Sequence, residues 1–428
     1  MELFAVSLVF IVLLMLCGVP ITFTLGIVSA FVLILKGYPL GLIPHLMITG
    51  VESWVLLAVP FFILTGQLMN ASKLTDRIFE FANACIGHIK GGLGHVNILA
   101  SMIFAGISGA ALADVQGLGV VEIKAMTDKG YDKEFSAAVT VASSTIGPII
   151  PPSIPMVVYA AIAEVSVAKM FLAGFLPGIV MGLAMMVLVY IIATGENFPV
   201  KPDPRPPFRQ IWRTFVSSIP SLVIPGILLA AILFGIATPT EIGVISIVYI
   251  IVVVGLVYRS LDWAAAWAAV RGTAEATSAI LIILATAALY SKMLAMEQVP
   301  QQLTKEVMSI TGNSPAIFLI AVNVLLLILG CFLDTTAIMV ITLPILLPMA
   351  KLLGIDFIHF GIIVVFNLMI GLLTPPFGLC LYAIVNMTKI PMDRMVRAVA
   401  PFFIPLLLTL VFITFAPKPI MFLPNLIK

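Results

Sequence analysis

Residues 143–153 read Ser143-Ser144-Thr145-Ile146-Gly147-Pro148-Ile149-Ile150-Pro151-Pro152-Ser153, and they interrupt an apolar region, 135–164, that is long enough to cross a membrane. Proline lacks a backbone N–H and clashes with the preceding turn, so the three prolines exclude a continuous helix. In hydrocarbon such a break is tolerated only against protein, water or a bound ion. Broken backbone at membrane depth is typical of the binding site of a secondary transporter. The alternative is a simple proline kink, which a single proline would favour.

The composition of the whole chain is that of a membrane protein. Of its 428 residues, 61% are hydrophobic and 10% are charged, and the mean hydropathy is +1.20. A soluble domain carries about 25% charged residues. The net charge of +2 gives no indication of nucleic-acid binding, and no nucleotide-binding glycine motif is present. We therefore predict an all-α polytopic membrane protein, not an enzyme, that is driven by an ion gradient and uses no nucleotide.

Changes in polarity divide the chain into scaffold spans, amphipathic arms and two transport repeats. The parts are N-terminal scaffold spans (1–70), an amphipathic arm (71–93), a first transport repeat (94–195), a basic linker (196–213), central scaffold spans (214–294), a second amphipathic arm (295–313) and a second transport repeat (314–428). Residues 3–35 are one kinked helix or two short ones, because Gly18-Val19-Pro20 interrupts them. The cluster of basic residues in the linker predicts a cytoplasmic location for it.

Each transport repeat combines an interrupted hairpin with a proline-broken span. In the first repeat, Gly106-Ile107-Ser108-Gly109 interrupts residues 94–127, which predicts a re-entrant helical hairpin with its tip near Ser108. A plain span with a small-residue packing face is the alternative. Charged residues, beginning with Asp114 and continuing from Glu122 to Glu134, indicate that the chain then returns to water, before the broken span 135–164. In the second repeat the hairpin is 314–353 and the broken span is 357–387, interrupted at 371–378.

The two repeats are related by one offset and by opposite orientation. An offset of 224 positions (375 − 151) pairs Gly106 with Gly330, Gly147 with Gly371, Pro151 with Pro375, and Pro177 with Pro401. The first arm carries Lys73, Arg77 and Lys90, whereas the second carries only Lys305. By the positive-inside rule the arms lie on opposite faces of the membrane. The repeats are therefore predicted to be inverted, with one hairpin entering from each face.

Both breaks carry the oxygen atoms that a sodium ion requires. Unwound carbonyls and hydroxyls coordinate cations, while the N-termini of half-helices favour an anionic substrate group. The predicted ligands near the first ion are Gly106, Ser108, Gly109, Ser143, Ser144, Thr145, Gly147 and Pro148. Those near the second are Gly330, Asp334, Thr335, Thr336, Gly371, Thr374 and Pro375. The alternative is that the hydroxyls only cap broken helix ends, because capping and coordination share the same geometry.

Acidic and small polar residues near the breaks are candidates for substrate contact. Intramembrane acids are functional candidates by default, and Asp334 fits this description better than Asp114 because apolar residues flank it on both sides. The candidate substrate residues are Ser108, Asp114, Ser144 and Ser153. The residues predicted to keep the helices broken are Pro151, Pro152, Pro376 and Gly378.

Several stretches of the chain carry the pattern of a known family. They are Gly106-Ile107-Ser108-Gly109-Ala110, Ala113-Asp114-Val115, Gly130-Tyr131, residues 142–156, Phe171-Leu172-Ala173-Gly174-Phe175-Leu176-Pro177-Gly178, Thr238-Pro239-Thr240-Glu241 and Leu373-Thr374-Pro375-Pro376-Phe377-Gly378. In these stretches, and over nearly its whole length, the chain resembles the large membrane subunit of TRAP (tripartite ATP-independent periplasmic) transporters. It looks like the separate large subunit, because no extra four-helix region precedes or follows it.

The resemblance implies a function that composition does not give. The fold would be an elevator-type transporter of the ion-transporter superfamily, in the bacterial inner membrane. It would use Na⁺ as coupling ion to import an organic acid anion, either a C4-dicarboxylate, sialic acid or another sugar acid. Its partners would be a small four-helix membrane subunit and a periplasmic substrate-binding protein. No unambiguous intramembrane arginine marks a carboxylate clamp, so polar side chains and helix dipoles would hold the anion.

Two other functions are alternative interpretations of the same sequence features. A stand-alone sodium–dicarboxylate symporter of similar architecture would use the same hairpins and need no binding protein. A proton-translocating subunit of a respiratory complex would need charged residues along the midplane. Lys292, Lys351 and Lys389 lie near span ends instead, which disfavours that second alternative.

Overall fold

A computed structural model describes residues 2–72, 74–195, 198, 200–258, 261–311 and 314–426. The described residues form helices joined by loops. Six helical segments are long and apolar enough to cross a membrane: Trp54–Ala71, Val167–Ala193, Phe208–Leu233, Trp263–Met296, Thr335–Leu352 and Met392–Phe415. The predicted all-α polytopic class is therefore confirmed.

The N-terminal region forms a helical hairpin, an oblique helix, a span and an arm. These are α1 (Glu2–Leu16), α2 (Ile21–Leu35), α3 (Leu42–Val51), α4 (Ala58–Ala71) and α5 (Leu74–Ile86). Residues 3–35 thus form two helices, because Gly18 takes a left-handed φ of 82° and Pro20 then starts α2. The rings of Phe10 and Phe31 stack with centroids 6.2 Å apart, so α2 folds back on α1. The arm is helical, and its Lys73 lies outside the described residues.

The first repeat contains the predicted hairpin and broken span. Its helices are α6 (Gly92–Ser108), α7 (Ala111–Gln116), α8 (Leu118–Asp128), α9 (Lys133–Ser144), α10 (Ile154–Ala163) and α11 (Val167–Ala193). Helix α6 ends at Gly109, which takes φ 63°, and the chain turns back there. The Leu93 amide at the start of α6 donates to the Tyr131 hydroxyl after α8, at 3.2 Å. The hairpin therefore returns to the face from which it entered.

The central region begins earlier than predicted, because its first helix includes part of the predicted linker. Its helices are α12 (Phe208–Leu233), α13 (Pro239–Tyr249), which continues as a π-helix over 250–257, α14 (Trp263–Met296) and α15 (Val299–Thr311). The linker is shorter than 196–213, because α12 begins directly after Pro207. The tryptophan-bearing segment 261–271 and the span after it form one helix, α14. Trp263 and Trp267 lie exposed on it, as expected of an interfacial belt.

The second repeat follows the same order of hairpin, broken span and final span as the first, although its helices are divided at different points. Its helices are α16 (Pro315–Gly330), α17 (Thr335–Leu352), α18 (Phe357–Gly371), α19 (Leu379–Thr388), α20 (Met392–Val399), α21 (Phe403–Phe415), α22 (Pro417–Ile420) and α23 (Phe422–Leu426). The offset of 224 also pairs Gly130 with Gly354, both in the left-handed region. It pairs Asp132 with Asp356, and each carboxylate caps the helix that follows it.

The two broken spans run antiparallel, which confirms the inverted repeat. The Lys133 ammonium at the start of α9 donates to the Thr388 carbonyl at the end of α19, at 2.7 Å. At the other end, the Tyr159 hydroxyl in α10 donates to the Phe357 carbonyl at the start of α18, also at 2.7 Å. Each broken span therefore begins at the membrane face where the other one ends.

Buried polar contacts join each hairpin to the broken span of its own repeat. The Ser143 hydroxyl donates to Asn97 Oδ1 of α6, at 2.7 Å. In the second repeat, Asn367 Nδ2 of α18 donates to Asn323 Oδ1 of α16, at 3.0 Å. Hydrogen bonds between buried side chains fix relative positions in an apolar surrounding. We call helices α6–α11 and α16–α21 the core unit, and helices α2–α5 and α12–α15 the frame.

Candidate functional site

A cavity of about 540 Å³ lies where the two hairpin tips and the two breaks meet the frame. Its walls come from α4 and α14 of the frame and from the tips and half-helices of the core unit. The polar residues lining it are Gln67, Ser108, Gln116, Asp334, Thr335 and Thr336. Because both repeats and the frame contribute, this cavity is the candidate substrate site.

The first break is fully buried and is tied to the tip of its hairpin. The Ile154 amide donates to the Gly109 carbonyl at 3.3 Å. A methyl group on Gly109 would lie 2.6 Å from the Pro152 carbonyl oxygen, so only glycine allows this approach. The Pro151-Pro152 peptide bond is cis. The hairpin tip therefore rests directly on the broken backbone, as the sequence predicts.

The hydroxyl groups of the first break bond to nearby carbonyls. Ser144 Oγ donates to the Val141 carbonyl at 2.8 Å, and Thr145 Oγ1 donates to the Ala142 carbonyl at 2.6 Å. Ser153 caps α10, since its Oγ accepts from the Met156 amide at 3.2 Å. A hydroxyl that donates its proton to a carbonyl keeps both lone pairs. These contacts are thus compatible with capping and with cation binding.

Two predicted ligands of the first ion face other partners. Ser143 bonds to Asn97 and also accepts from the Ser101 hydroxyl, at 3.0 Å, so its side chain is directed to α6. Gly106 packs on the frame, because a methyl group there would lie 2.6 Å from Pro225. A role of either residue in sodium binding stays a prediction.

Asp114 is the buried acid of the site. It is 2% exposed, and the buried Ser108 hydroxyl lies beside its carboxylate; neither carboxylate oxygen forms a well-aligned hydrogen bond with any of the described residues. Its Oδ2 lies where a side chain on Gly147 would be, and that position is also 3.1 Å from the Ser144 carbonyl oxygen. An unneutralised carboxylate is strongly unfavourable when buried, so either a proton or a bound cation must neutralise Asp114.

The oxygen atoms around Asp114 suit a hard cation. They comprise a carboxylate, a hydroxyl and a backbone carbonyl, which are the ligand types preferred by ions such as sodium and calcium. Among the described residues, no group of three or more histidine, cysteine and acidic side chains forms a transition-metal site. The oxygen donors beside Asp114 fit a hard cation.

The second break is more open than the first. The Phe377 amide donates to the Cys331 carbonyl of the hairpin tip at 3.0 Å, and Thr374 Oγ1 donates to the Ile370 carbonyl at 2.8 Å. The Pro375-Pro376 bond is cis, Pro376 is exposed, and Gly378 packs on the Leu372 carbonyl. In this repeat the hairpin meets the break through Gly330 and Gly371, whose backbones touch.

The burial of the acidic side chains is the reverse of what the sequence predicts. Asp334, predicted to be the better intramembrane acid, is exposed to the cavity and caps α17 by accepting from the Thr336 amide at 2.9 Å. Asp114 and Glu122, which were expected near or in water, are 2% and 1% exposed. The sequence pattern is misleading here because α7 and α8 are covered by α6 and α9.

Three half-helices begin at the cavity wall. Helix α10 starts at Ile154, α17 at Thr335 and α19 at Leu379, and all three residues line the cavity. A helix N-terminus carries a partial positive charge of about +0.5. Asp334 lies on the N-terminus of α17. The first amides of α10 and α19 donate to protein oxygens, those of Ile154 and Met156 to Gly109 and Ser153, and those of Cys380 and Leu381 to the Leu372 carbonyl, so these two ends present a partial positive charge and not free donors.

Several residues that line the candidate substrate cavity were not among those predicted from the sequence. Gln67 of α4 and Gln116 after α7 line the cavity, as does the buried thiol of Cys380 in α19. A glutamine within an apolar span is a recognisable signal of function. For Cys380 the sequence offers no such signal, because an isolated cysteine usually packs as a small hydrophobe.

Comparison with known proteins gives the family. The sequence model described as "Tripartite ATP-independent periplasmic transporter, DctM component" matches residues 8–419. The chain is 38% identical to the sialic acid TRAP transporter large permease protein SiaM of Vibrio cholerae, over 96% of each chain. It is 40% identical to the C4-dicarboxylate TRAP transporter large permease protein DctM of Pseudomonas aeruginosa, over 87% of each chain.

A solved structure supports the fold alone. The YdaH transporter of Alcanivorax borkumensis superimposes with a TM-score of 0.60 at 15% sequence identity, over 86% of each chain. The resemblance noted in the sequence is confirmed by the family match, which spans nearly the whole chain. This multi-pass membrane protein therefore belongs to the family of large permease subunits, the DctM component, of tripartite ATP-independent periplasmic transporters.

Proposed function

We propose that this chain imports an organic acid anion across the bacterial inner membrane, driven by sodium and supplied by a periplasmic substrate-binding protein. The observation that carries this proposal is Asp114, a buried carboxylate that has the Ser108 hydroxyl beside it and no ion-pair partner among the described residues, at the contact of a hairpin tip with a broken helix. A resident charge of this kind needs a mobile cation to be stable in the membrane. Binding of sodium there would couple the ion gradient to the state of the site.

The first sodium site would use oxygens that converge on Asp114. The buried Ser108 hydroxyl lies beside the Asp114 carboxylate, and the Ser144 carbonyl lies on the same side of Gly147 as that carboxylate. The second site would use the break at Gly371 and Thr374, with Thr335 and Thr336 at the hairpin tip. Asp334 caps α17 there and would contribute its remaining carboxylate oxygen.

The substrate anion would bind in the cavity between the core unit and the frame. The N-termini of α10 and α19 face it, and Ser108 and Thr336 offer hydroxyls from the two hairpin tips. The relatives named for sialic acid and for C4-dicarboxylates indicate an organic acid as substrate. A small four-helix membrane subunit would cover part of the exposed apolar surface of the frame.

An elevator movement of the core unit against the frame would alternate access to the cavity. Hairpins and broken spans are joined by buried hydrogen bonds, so they would move as one body. Their contacts with the frame involve small or smooth surfaces, such as Gly66 beside Ser108 and Pro225 beside Gly106. An ion pair, Lys129 with Asp203, joins the core unit to the linker at the membrane face. Such contacts would allow the core unit to slide against the frame with a low free-energy barrier.

Uptake by proteoliposomes tests this function directly. The chain, co-purified with its small membrane subunit, would be supplied with candidate binding proteins preloaded with different acids. We expect uptake only when a sodium gradient is imposed and a loaded binding protein is present. Uptake of free acid without any binding protein would instead identify a stand-alone symporter. Uptake that is unaffected by dissipating the sodium gradient would contradict sodium coupling.

The hydroxyls at the two breaks give a testable prediction. Ser144→Ala and Thr374→Ala should each raise the sodium concentration for half-maximal uptake about tenfold, the loss expected for one ion contact. Membrane insertion should be unchanged, because both side chains are small; each hydroxyl bonds within its own helix, and that of Ser144 also contacts the Cys380 thiol. The measurement is the sodium dependence of uptake at saturating substrate.

Matched controls separate coordination from capping in these variants. Ser246→Ala and Thr409→Ala remove buried hydroxyls that also donate to a carbonyl one turn earlier, at 2.8 and 2.7 Å, far from both breaks. These controls should keep the wild-type sodium dependence. If Ser144→Ala and Thr374→Ala match the controls, the two hydroxyls only cap their helices.

A further inference from the structure

A second cavity, of about 380 Å³, lies between the core unit and the frame. Residues of α14 between 276 and 283 line the candidate substrate cavity, and residues between 284 and 291 line this one. The end of α10 also lines it. The broken span begins near the linker, where Lys129 pairs with Asp203, so α10 ends at the opposite membrane face. Because the linker is predicted to be cytoplasmic, we call this space the outer cavity.

Two helices, α3 and α10, end at the outer cavity. The residues of their last turns that line it are Thr49, Gly50, Ala161 and Ile162. The amides that follow these turns donate to other carbonyls, those of Ile48, Val51 and Ala160. None of the described donors therefore binds the carbonyls of the four lining residues. Free carbonyls give a helix C-terminus a partial charge of about −0.5.

Side chains and a helix interruption bring further oxygen atoms to the outer cavity. The hydroxyl-bearing residues that line it are Thr49, Ser53 and Ser291. Glu164, which follows α10, contributes a carboxylate. On the wall formed by α17, Pro344 has no N–H to donate to the Val340 carbonyl one turn earlier, and both residues line the cavity. The polar groups of this cavity are thus predominantly oxygen acceptors.

The charges in and beside the outer cavity are mainly negative. Among the described residues that line it, Glu164 is the one charged side chain, and the two helix ends add about −1 in partial charge. Two exposed neighbours, Glu52 and Lys292, carry opposite charges and do not line the cavity. The total is therefore about −2. A concave site of one sign raises the local concentration of counter-ions.

We infer that the outer cavity binds a small monovalent cation, at a site separate from the two breaks. Carbonyl, hydroxyl and carboxylate oxygens are the ligands of hard cations, and affinity for calcium rises with the number of charged ligands. A single carboxylate therefore suits a singly charged ion such as sodium. On the predicted periplasmic face, this site receives sodium before the ion reaches the breaks. That role as an entry site rests on the proposed function, whereas the binding of a cation does not.

Chemical labelling of a cysteine placed in the outer cavity tests its preference for cations. Ser291→Cys in the full-length chain is treated with a cationic trimethylammonium-ethyl or an anionic sulfonato-ethyl methanethiosulfonate. Each rate is divided by the rate with free 2-mercaptoethanol. Modification is measured at position 291 by peptide mass spectrometry, so the four native cysteines are retained. We expect the cationic reagent to be favoured about tenfold.

Competition by salts identifies the ion. Labelling by the cationic reagent is repeated in sodium chloride and in choline chloride at equal ionic strength, where screening is the same, and with added calcium chloride. Sodium should slow the reaction in a saturable way, and choline should not. Protection by calcium but not by sodium would overturn the choice of a monovalent ion.

Two acidic residues provide a variant and its matched control. Glu164→Gln, combined with Ser291→Cys, removes half of the negative charge, so the preference for the cationic reagent should fall to about threefold. Glu52→Gln removes an exposed acid that lies near the cavity without lining it, and the preference should then be unchanged. Equal rates with both reagents, or equal effects of the two variants, would overturn the cation site.

Uptake by proteoliposomes tests the role as an entry site. Glu164→Gln should raise the external sodium concentration for half-maximal uptake about threefold, the same factor as in labelling, and leave the maximal rate unchanged. A cation preference in labelling with wild-type sodium dependence of uptake would overturn the entry role. If uptake by the wild type did not depend on sodium at all, the proposed function would fail, and labelling would still decide whether the outer cavity binds a cation.

Discussion

Asp114→Asn is expected to abolish sodium-driven uptake while leaving the chain folded and inserted. The Asp114 side chain is 2% exposed and has no ion-pair partner among the described residues. Asparagine has nearly the same shape but no charge, so it removes the electrostatic attraction for a cation without opening a cavity. The loss of a buried charge contact costs about 3 kcal/mol, or roughly a hundredfold in sodium affinity.

The response of stability to sodium gives a second, independent readout for this variant. Without sodium, Asp114→Asn should be at least as stable as the wild type, since an uncompensated buried carboxylate is unfavourable. With sodium, the wild-type melting temperature should rise and that of the variant should not. Asp356→Asn is the control, because Asp356 is an exposed helix cap and asparagine caps equally well.

Two results would contradict the assignment of Asp114 as a cation ligand. If Asp114→Asn takes up substrate with wild-type sodium dependence, the cation does not bind this carboxylate. If the variant is less stable than the wild type without sodium, Asp114 has a structural role in the folded state. Either finding would remove the observation on which the proposed coupling mechanism rests.

The sequence predicts the breaks of this fold well because their causes are local. Prolines at 148, 151 and 152 exclude a helix whatever surrounds them, and α9 ends at Ser144 as expected. Gly109 turns the first hairpin because its left-handed φ of 63° suits glycine. The offset of 224 predicts the second repeat from the first, and the antiparallel contacts of Lys133 and Tyr159 confirm the inversion.

The partners of each side chain could not be predicted, because they depend on which helices meet. Ser143 and Ser144 are neighbours in sequence, yet the first bonds to Asn97 of α6, whereas the second bonds to its own helix and contacts Cys380 of α19. Asp114 is followed by charged residues, which suggested a polar surface, but α6 and α9 cover it. The division of 3–35 into two helices likewise depends on the turn at Gly18.

The candidate substrate cavity illustrates the same limit on sequence reasoning. Its apolar wall from α14 consists of ordinary span residues such as Ile280 and Ile283, which look like lipid-facing positions in the sequence. Only the packing of α14 beside α17 and α4 identifies the face that is turned to the hairpins.

Gly371→Ala is expected to reduce uptake at least tenfold, although alanine favours the helix in which this residue lies. Gly371 is the last residue of α18, and its α-carbon touches the backbone of Gly330 in the second hairpin. A methyl group on Gly371 would lie 2.7 Å from the Gly330 α-carbon and 3.0 Å from its carbonyl oxygen. Backbone atoms cannot rotate away, so the hairpin tip must move off the break.

Two opposing free-energy changes determine how far Gly371→Ala reduces uptake. Replacing glycine by alanine in a helix gains up to about 1 kcal/mol, whereas overpacking a close contact costs about 1–3 kcal/mol. Gly226→Ala in α12 is the matched control, because a methyl group there meets no atom within 4 Å. Gly226→Ala has only the gain in helix stability and no overpacking. Its uptake should therefore stay at the wild-type level, and its melting temperature should not fall.

Uptake and sodium dependence measured together show which step the Gly330–Gly371 contact serves. Displacement of the tip would separate Thr335 and Thr336 from Thr374, so the sodium concentration for half-maximal uptake should rise along with the loss of rate. Wild-type uptake and sodium dependence in Gly371→Ala would show that the second ion site does not require this contact. A loss of rate with unchanged sodium dependence would place the contact in the movement of the core unit, since the ion site would then be intact while its translocation is slowed.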